Sequence, residues 1–270
     1  CERVLKPNGS FYWFHNDFPQ IRKLMDAIDA ETSFVFKRFI TCNKPNFRVF
    51  MWKNRIEKSF NRNWFPNVEY CLFYTFQDDY GVNKEGFGFQ SLRNYFCEFQ
   101  EALGLTKKAI IDKIGQRADH CFRWNSTQWD LPTLETYEDL LRLPRRVDFK
   151  PRSYDSLRAE YEKQRYVFNE DDNISCVWVF DETNSGKYHP TQKPLNIIEK
   201  IIRTSSNDGA VVLDCFMGSG TTAVAASRLN RNFIGFEREP EYVRIANQRL
   251  ENVYDEIAGR KLTIETERER

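Results

Sequence analysis

The chain is poor in the residues that hold metals or make cross-links. Only three histidines, His15, His120 and His189, occur in its 270 residues. Seven cysteines lie scattered at Cys1, Cys42, Cys71, Cys97, Cys121, Cys176 and Cys215, and no two of them form a C-x-x-C pair. An odd and dispersed set argues against a disulfide framework and against a zinc site, so no metal is expected and the expected compartment is a reducing cytoplasm. No apolar run approaches the ~20 residues that cross a bilayer, and no basic segment followed by an apolar core is visible, so neither a membrane partner nor a signal peptide is expected. Net charge is also scarce, at +1 overall. What remains is 41% hydrophobic and 15% aromatic, enough to bury a full core in one large domain or in one domain with a sizeable insertion.

The most informative stretch runs from Tyr188 to Glu237. After His189-Pro190-Thr191-Gln192-Lys193-Pro194, the apolar residues Leu195, Ile198 and Ile202, with Ile197 and Ile201 beside them, repeat at helical spacing. Asn207-Asp208-Gly209 breaks that helix, and Ala210 to Leu213 reads as a buried parallel strand ending on Asp214. A loop with Gly218 and Gly220, an alanine-rich helix from Thr221 to Leu229, and a second strand from Phe233 to Phe236 ending on Glu237 complete the unit. Strand, glycine loop, helix and strand with a terminal acid form the nucleoside-binding half of a doubly wound fold, in which the acid takes ribose hydroxyls. Glu237 follows Asp214 by 23 positions, close to the ~20 expected of a ribose ligand. A carboxylate at the loop mouth repels a pyrophosphate but pairs with an ammonium, which favours S-adenosylmethionine over NAD.

The segments "HPTQKP", "LDCFMGSGTT" and "FIGFE" resemble the cofactor motifs of the amino-methylating DNA methyltransferases, specifically the permuted group whose cofactor half is C-terminal. The opening "ERVLKPNGSFYWFH" resembles the helix end and strand that follow the catalytic motif in that family. The resemblance implies an α/β, Rossmann-like methyltransferase sheet with a mostly helical DNA-recognition insertion. It divides the chain into residues 1–76 (part of the catalytic domain), 77–158 (target recognition) and 159–270 (the cofactor half). In the site it implies, Asp214 takes the cofactor's ammonium and the loop holding Phe216, Gly218, Ser219, Gly220 and Thr221 cradles the methionine and ribose. Glu237 takes the ribose hydroxyls, the Thr191-Gln192-Lys193 turn lies against the methionine end, and His15 to Phe18 lie near the active-site rim. The acceptor implied is the N6 amine of adenine, with the N4 amine of cytosine as runner-up. The family's tetrapeptide, Asp, Asn or Ser followed by Pro-Pro and an aromatic residue, is absent from these residues. Cys1 stands in what reads as a helix end, so an upstream segment is expected; the alternative is a DNA-binding relative that has lost catalysis. Double-stranded DNA is the implied partner, and a homodimer and a cognate restriction enzyme are admitted.

The middle of the chain carries charge where DNA would need it. Between Lys37 and Arg62, eight positive side chains, Lys44, Arg48, Lys53 and Arg55 among them, face the single Glu57 and are interleaved with aromatic residues. Such a field suits phosphate contacts, although a basic solvated face over core aromatics reads the same way. Leu92, Tyr95, Phe96 and Phe99 predict a helix, Thr106 predicts an N-cap, and Gly115 predicts a turn before a second helix through about Trp124. That segment resembles the helix-turn-helix of lambda-repressor-like domains, which would put His120, Arg123, Asn125 and Gln128 at the DNA. A packing hairpin is the alternative. Arg145 and Arg146 fall on a proline-punctuated connector that either follows phosphates or links domains.

Overall fold

The computed structural model describes residues 1–43, 68–78, 82–84, 86–169, 175–179 and 188–268. In chain order the elements are β1 (Ser10–His15), α1 (Phe18–Glu31), β2 (Val35–Asn43), β3 (Val68–Thr75), the short β4 (Val82–Asn83) and β5 (Gly86–Phe87), then α2 (Gln90–Leu103), α3 (Lys107–Ile114), α4 (Leu134–Arg142) and α5 (Tyr154–Gln164). The C-terminal part contributes β6 (Val177–Val179), α6 (Leu195–Ser205), β7 (Val211–Asp214), α7 (Thr221–Arg228), β8 (Asn232–Gly235) and α8 (Pro240–Arg268). The α/β class expected from the sequence holds. Strands β1, β3, β2 and β6 are hydrogen-bonded in that order, β4 pairs with β5, and β7 pairs with β8 as a separate parallel ladder. Among the described residues no helix is long and apolar enough to cross a membrane.

The chain divides into two compact units, one of Cys1–Tyr12, Pro19–Lys37 and Phe73–Tyr166, the other of Trp13–Phe18, Arg38–Leu72 and Val167–Arg270. In the first, the predicted stripe Leu92, Tyr95, Phe96 and Phe99 is buried and joins Ile110, Tyr137, Leu140 and Leu157 in one core. The helices around it end where local chemistry stops them. Gly104 closes α2 in the left-handed region at φ 60°, and Thr106 caps α3 by accepting from the Ala109 amide at 3.2 Å, as the sequence predicts.

The second helix expected after Gly115 does not form. Two successive 3-10 turns, Gln116–Ala118 and His120–Phe122, stand in its place. A long-range competitor explains the difference. Buried Arg93 donates to the carbonyls of Gly88 at 2.8 Å, Arg123 at 3.3 Å, Trp124 at 2.6 Å and Ser126 at 3.1 Å. These bonds hold the backbone from Arg123, at φ −104° and ψ 66°, in a non-helical path, and Asp119, gripped by Lys107 at 2.5 Å and by Arg123, holds the turns down on α3.

In the second unit, α7 is rich in alanine because it is buried on two sides. Ala225 and Ala226 pack with Ile198 and Ile202 of α6, while Ala223 and Val224 pack with Leu250 and Val253 of α8. Val212 and Phe233 press one face of the β7–β8 ladder against α6 and α7. The observed bounds of α6, β7, α7 and β8 lie within one or two residues of those predicted.

Arg93→Met leaves one buried and three partly buried carbonyls without this donor, a buried one costing about 1–3 kcal/mol. The variant is expected to lower the urea midpoint of unfolding and to speed amide exchange first around residues 120–129. Arg93→Lys is expected to recover little, because a compact ammonium cannot span four acceptors; wild-type stability in the lysine variant would contradict this account.

Candidate functional site

The β7–β8 ladder ends at the place where open parallel sheets bind ligands. There Asp214 spans the loop that follows it. Its Oδ1 accepts from the Phe216 amide at 3.0 Å and its Oδ2 from the Thr222 hydroxyl at 2.6 Å. The strand end is therefore tied to the first turn of α7, and each carboxylate oxygen keeps a lone pair for a ligand. Main-chain bonds close the loop against the end of β8, from Phe236 N to Asp214 O and from Met217 N to Phe236 O, both 2.9 Å.

Glu237 completes the closure from the opposite strand. Its Oε2 accepts from the Gly218 amide at 2.8 Å, and its Oε1 from the amides of Arg238 at 2.8 Å and Glu239 at 2.9 Å. The Glu239 amide, followed by those of Gly218 and Arg238 and by the field of His189, holds the Glu237 carboxyl below its ordinary pKa against the opposing effect of partial burial. Gly220 is required sterically, since it takes φ 79° and a Cβ there would stand 2.7 Å from Ala246 Cβ. Phe216 is 91% exposed at the rim. Ser219 and Thr221, expected to meet the cofactor, turn buried side chains inward to Arg249 of α8.

The Thr191-Gln192-Lys193 turn is folded by its own side chains. Gln192 Oε1 accepts from the Tyr188 amide at 3.0 Å, and His189 Nδ1 accepts from the Thr191 amide at 3.2 Å, which places the ring proton on Nε2. The same ring packs against Tyr242 at 4.3 Å, and a Cβ on Gly218 would lie 3.6 Å from it. His189 thus joins the turn to the glycine loop. Lys193 donates to Glu69 Oε1 at 2.7 Å and to the Thr191 carbonyl at 3.3 Å, with its ammonium 5.3 Å from the centre of the Phe14 ring. Sequence reasoning missed Glu69 and Arg249. The signal for Glu69 was present as a single acid within the apolar strand "VEYCLFYTF"; Arg249 had none.

Of the residues expected at DNA, Lys44, Arg48, Lys53 and Arg55 lie outside the described residues. Arg123 donates from Nε to Asp119 Oδ2 at 2.6 Å, and Lys107 and Arg123 together hold the Asp119 carboxyl below its ordinary pKa. His120 Nδ1 lies 3.1 Å from the Gln128 carbonyl. Arg145 and Arg146 are exposed, the stem of Arg146 lying over Gly104 at the end of α2.

A family model described as DNA methylase, for N6 and N4 methyltransferases, matches residues 1–248. The chain belongs to the N6/N4 DNA methylase family. Among curated relatives, Type II methyltransferase M2.DpnII of Streptococcus pneumoniae is 42% identical over 107 residues, covering 35% of this chain and 40% of that protein. Type II methyltransferase M1.MboII of Moraxella bovis is 61% identical over 59 residues, covering 22% of this chain and 23% of that protein. The matched part thus spans well under half the length of either relative. A crystal structure of an M1.HpyAVI-SAM complex aligns with TM-score 0.49 and 24% identity over 92% of this chain and 76% of the other. In the DNA methylase chain, Asp214 and Glu237 are the two acids that close the glycine loop, one from each strand of the ladder.

Because the folded-state pKa of Glu237 is depressed, its contribution to stability is fully present above the carboxyl pKa of the unfolded chain and is lost as pH falls through the folded value. Glu237→Gln is expected to flatten the acid limb of the urea midpoint measured from pH 7 downwards. Identical pH dependence in wild type and variant would remove Glu237 from the loop closure.

Proposed function

We propose that this chain is the cofactor-binding and recognition part of an S-adenosylmethionine-dependent DNA methyltransferase acting on an exocyclic base amine, with adenine N6 as the acceptor. The observation that carries the reading is the pairing of Asp214 and Glu237 at adjacent strand ends around a tight glycine loop, in a chain of the N6/N4 DNA methylase family. The donor set fits the cofactor. Lone pairs remaining on Asp214 suit an ammonium, the one remaining on Glu237 Oε2 suits a ribose hydroxyl, and the exposed ring of Phe216 offers an apolar surface. Two carboxylates at the mouth disfavour a dinucleotide's pyrophosphate.

The bound cofactor would supply an electrophilic methyl group. The chain's own part is to fix the donor's orientation, which turns an encounter into a near-attack geometry. Asp214 anchors one end of the donor and Glu237 the other, and the main-chain bonds of Met217 and Phe236 keep the loop from shifting between them. Exposed Arg145 and Arg146 support double-stranded DNA as the partner, as does the concentration of charge between residues 37 and 62. The description of the relatives as Type II methyltransferases supports a cognate restriction enzyme as a further partner. None of the seven cysteines is in a disulfide, which suits a reducing cytoplasm.

Calorimetry with S-adenosylmethionine and with NADH tests the cofactor. The first is expected to bind and the second not, and Asp214→Ala is expected to weaken binding by about 1.5–3 kcal/mol, the worth of a charge-assisted hydrogen bond. Thr222→Val, which removes the loop tie but keeps the carboxylate, is expected to cost less. For the reaction, tritiated methyl incorporation by the whole protein into DNA, followed by hydrolysis and chromatography, is expected to label N6-methyladenine. Label in N4-methylcytosine would move the acceptor to cytosine, and binding of DNA and cofactor without label would favour a relative that has lost catalysis.

A further inference from the structure

Arg249 lies on the face of α8 that meets the glycine loop, one turn after Ala246, whose Cβ excludes any side chain at Gly220. A single nitrogen of its guanidinium, Nη1, donates to three oxygens of the loop: the Ser219 carbonyl at 2.6 Å, the Ser219 hydroxyl at 3.2 Å and the Thr221 hydroxyl at 3.2 Å. The guanidinium carbon stands 4.8 Å from the centre of the Tyr188 ring, the residue that opens the Tyr188-His189-Pro190-Thr191 approach. One side chain therefore touches both segments that frame the candidate site.

The arrangement is electrostatically expensive. Among the described residues no carboxylate forms an ion pair with Arg249, and Arg228 adds a like charge nearby. Burial pushes the guanidinium pKa down, and the group sits beside the first turn of α7, the positive end of a helix dipole. A neutral side chain of similar length would escape all three costs while keeping the contact between α7 and α8. What the guanidinium adds over that neutral side chain is N–H donation to the loop oxygens, one N–H being shared because Nη1 carries two hydrogens, together with a flat cationic face for Tyr188.

We propose that Arg249 is a positioning residue that sets the shape of the Ser219-Gly220-Thr221 loop for the cofactor and couples that shape to Tyr188. The proposal rests on the cofactor reading above, and its test separates the two. Arg249→Met, Arg249→Lys and Tyr188→Leu are compared with wild type by calorimetry with S-adenosylmethionine and with S-adenosylhomocysteine, at a temperature where circular dichroism shows each variant folded. Arg249→Met is expected to weaken both ligands at least tenfold, Arg249→Lys about threefold, and Tyr188→Leu two- to fivefold. Without ligand, amide exchange in Arg249→Met is expected to accelerate at residues 218–222 and to stay unchanged along β7 and β8. A residue that only glues α8 in place would instead lower the melting temperature, speed exchange along α8, and leave the affinity of the folded protein unaltered; that pattern would overturn the proposal. Absence of binding by wild type would sink the cofactor reading alone, because the exchange arm carries no ligand and still decides whether Arg249 shapes the loop.

Discussion

Three backbone amides converge on the carboxylate of Glu237, and one of them, from Gly218, belongs to the loop that leaves the neighbouring strand. That cross-strand bond, with the Phe216 amide and Thr222 hydroxyl on Asp214, turns two parallel strand ends into a closed cradle. These bonds help to hold Gly218 and Gly220 in left-handed conformations at one bend, offsetting the large conformational freedom that glycine loses on ordering. Everything else in the unit supports the closure. The alanines of α7 let α6 and α8 approach from both sides, and Ala246 and Arg249 press the loop from behind.

The same arrangement supports the proposal that the candidate site takes a positively charged nucleoside. Both acids already hold backbone or hydroxyl donors, so both are pre-oriented and bias the mouth toward cations. Two basic groups of the unit are already engaged: Lys193 with Glu69, Arg249 with loop oxygens.

Much of this half was legible in the sequence because its signals are local. A short apolar run ending on an acid, glycines at a bend, and an alanine-rich helix with a second strand following it occupy consecutive residues, and their bounds came out nearly as read. The contacts that escaped are distant in sequence. Lys193 and Glu69 are 124 positions apart, and Arg249 and Ser219 are 30 apart; no periodicity links them. The helix-turn-helix expectation failed for a similar reason. Residues 116–122 form two 3-10 turns, and Arg93 pins the carbonyls of Arg123, Trp124 and Ser126 from more than 29 positions away, a contact that no local pattern shows. The basic stretch holding Lys44, Arg48, Lys53 and Arg55 lies outside the described residues, so its proposed role at phosphates rests on the sequence.

Asp214 is proposed to pair with an ammonium on a nucleoside ligand. The most direct measurement is a cycle that crosses Asp214→Asn with removal of the amino group from the ligand, comparing S-adenosylhomocysteine with its deaminated analogue by calorimetry. In wild type, deamination is expected to weaken binding by at least tenfold, and in the asparagine variant the two ligands are expected to bind nearly alike. An equal loss on deamination in both proteins would mean that the ammonium is held elsewhere and that Asp214 only shapes the loop.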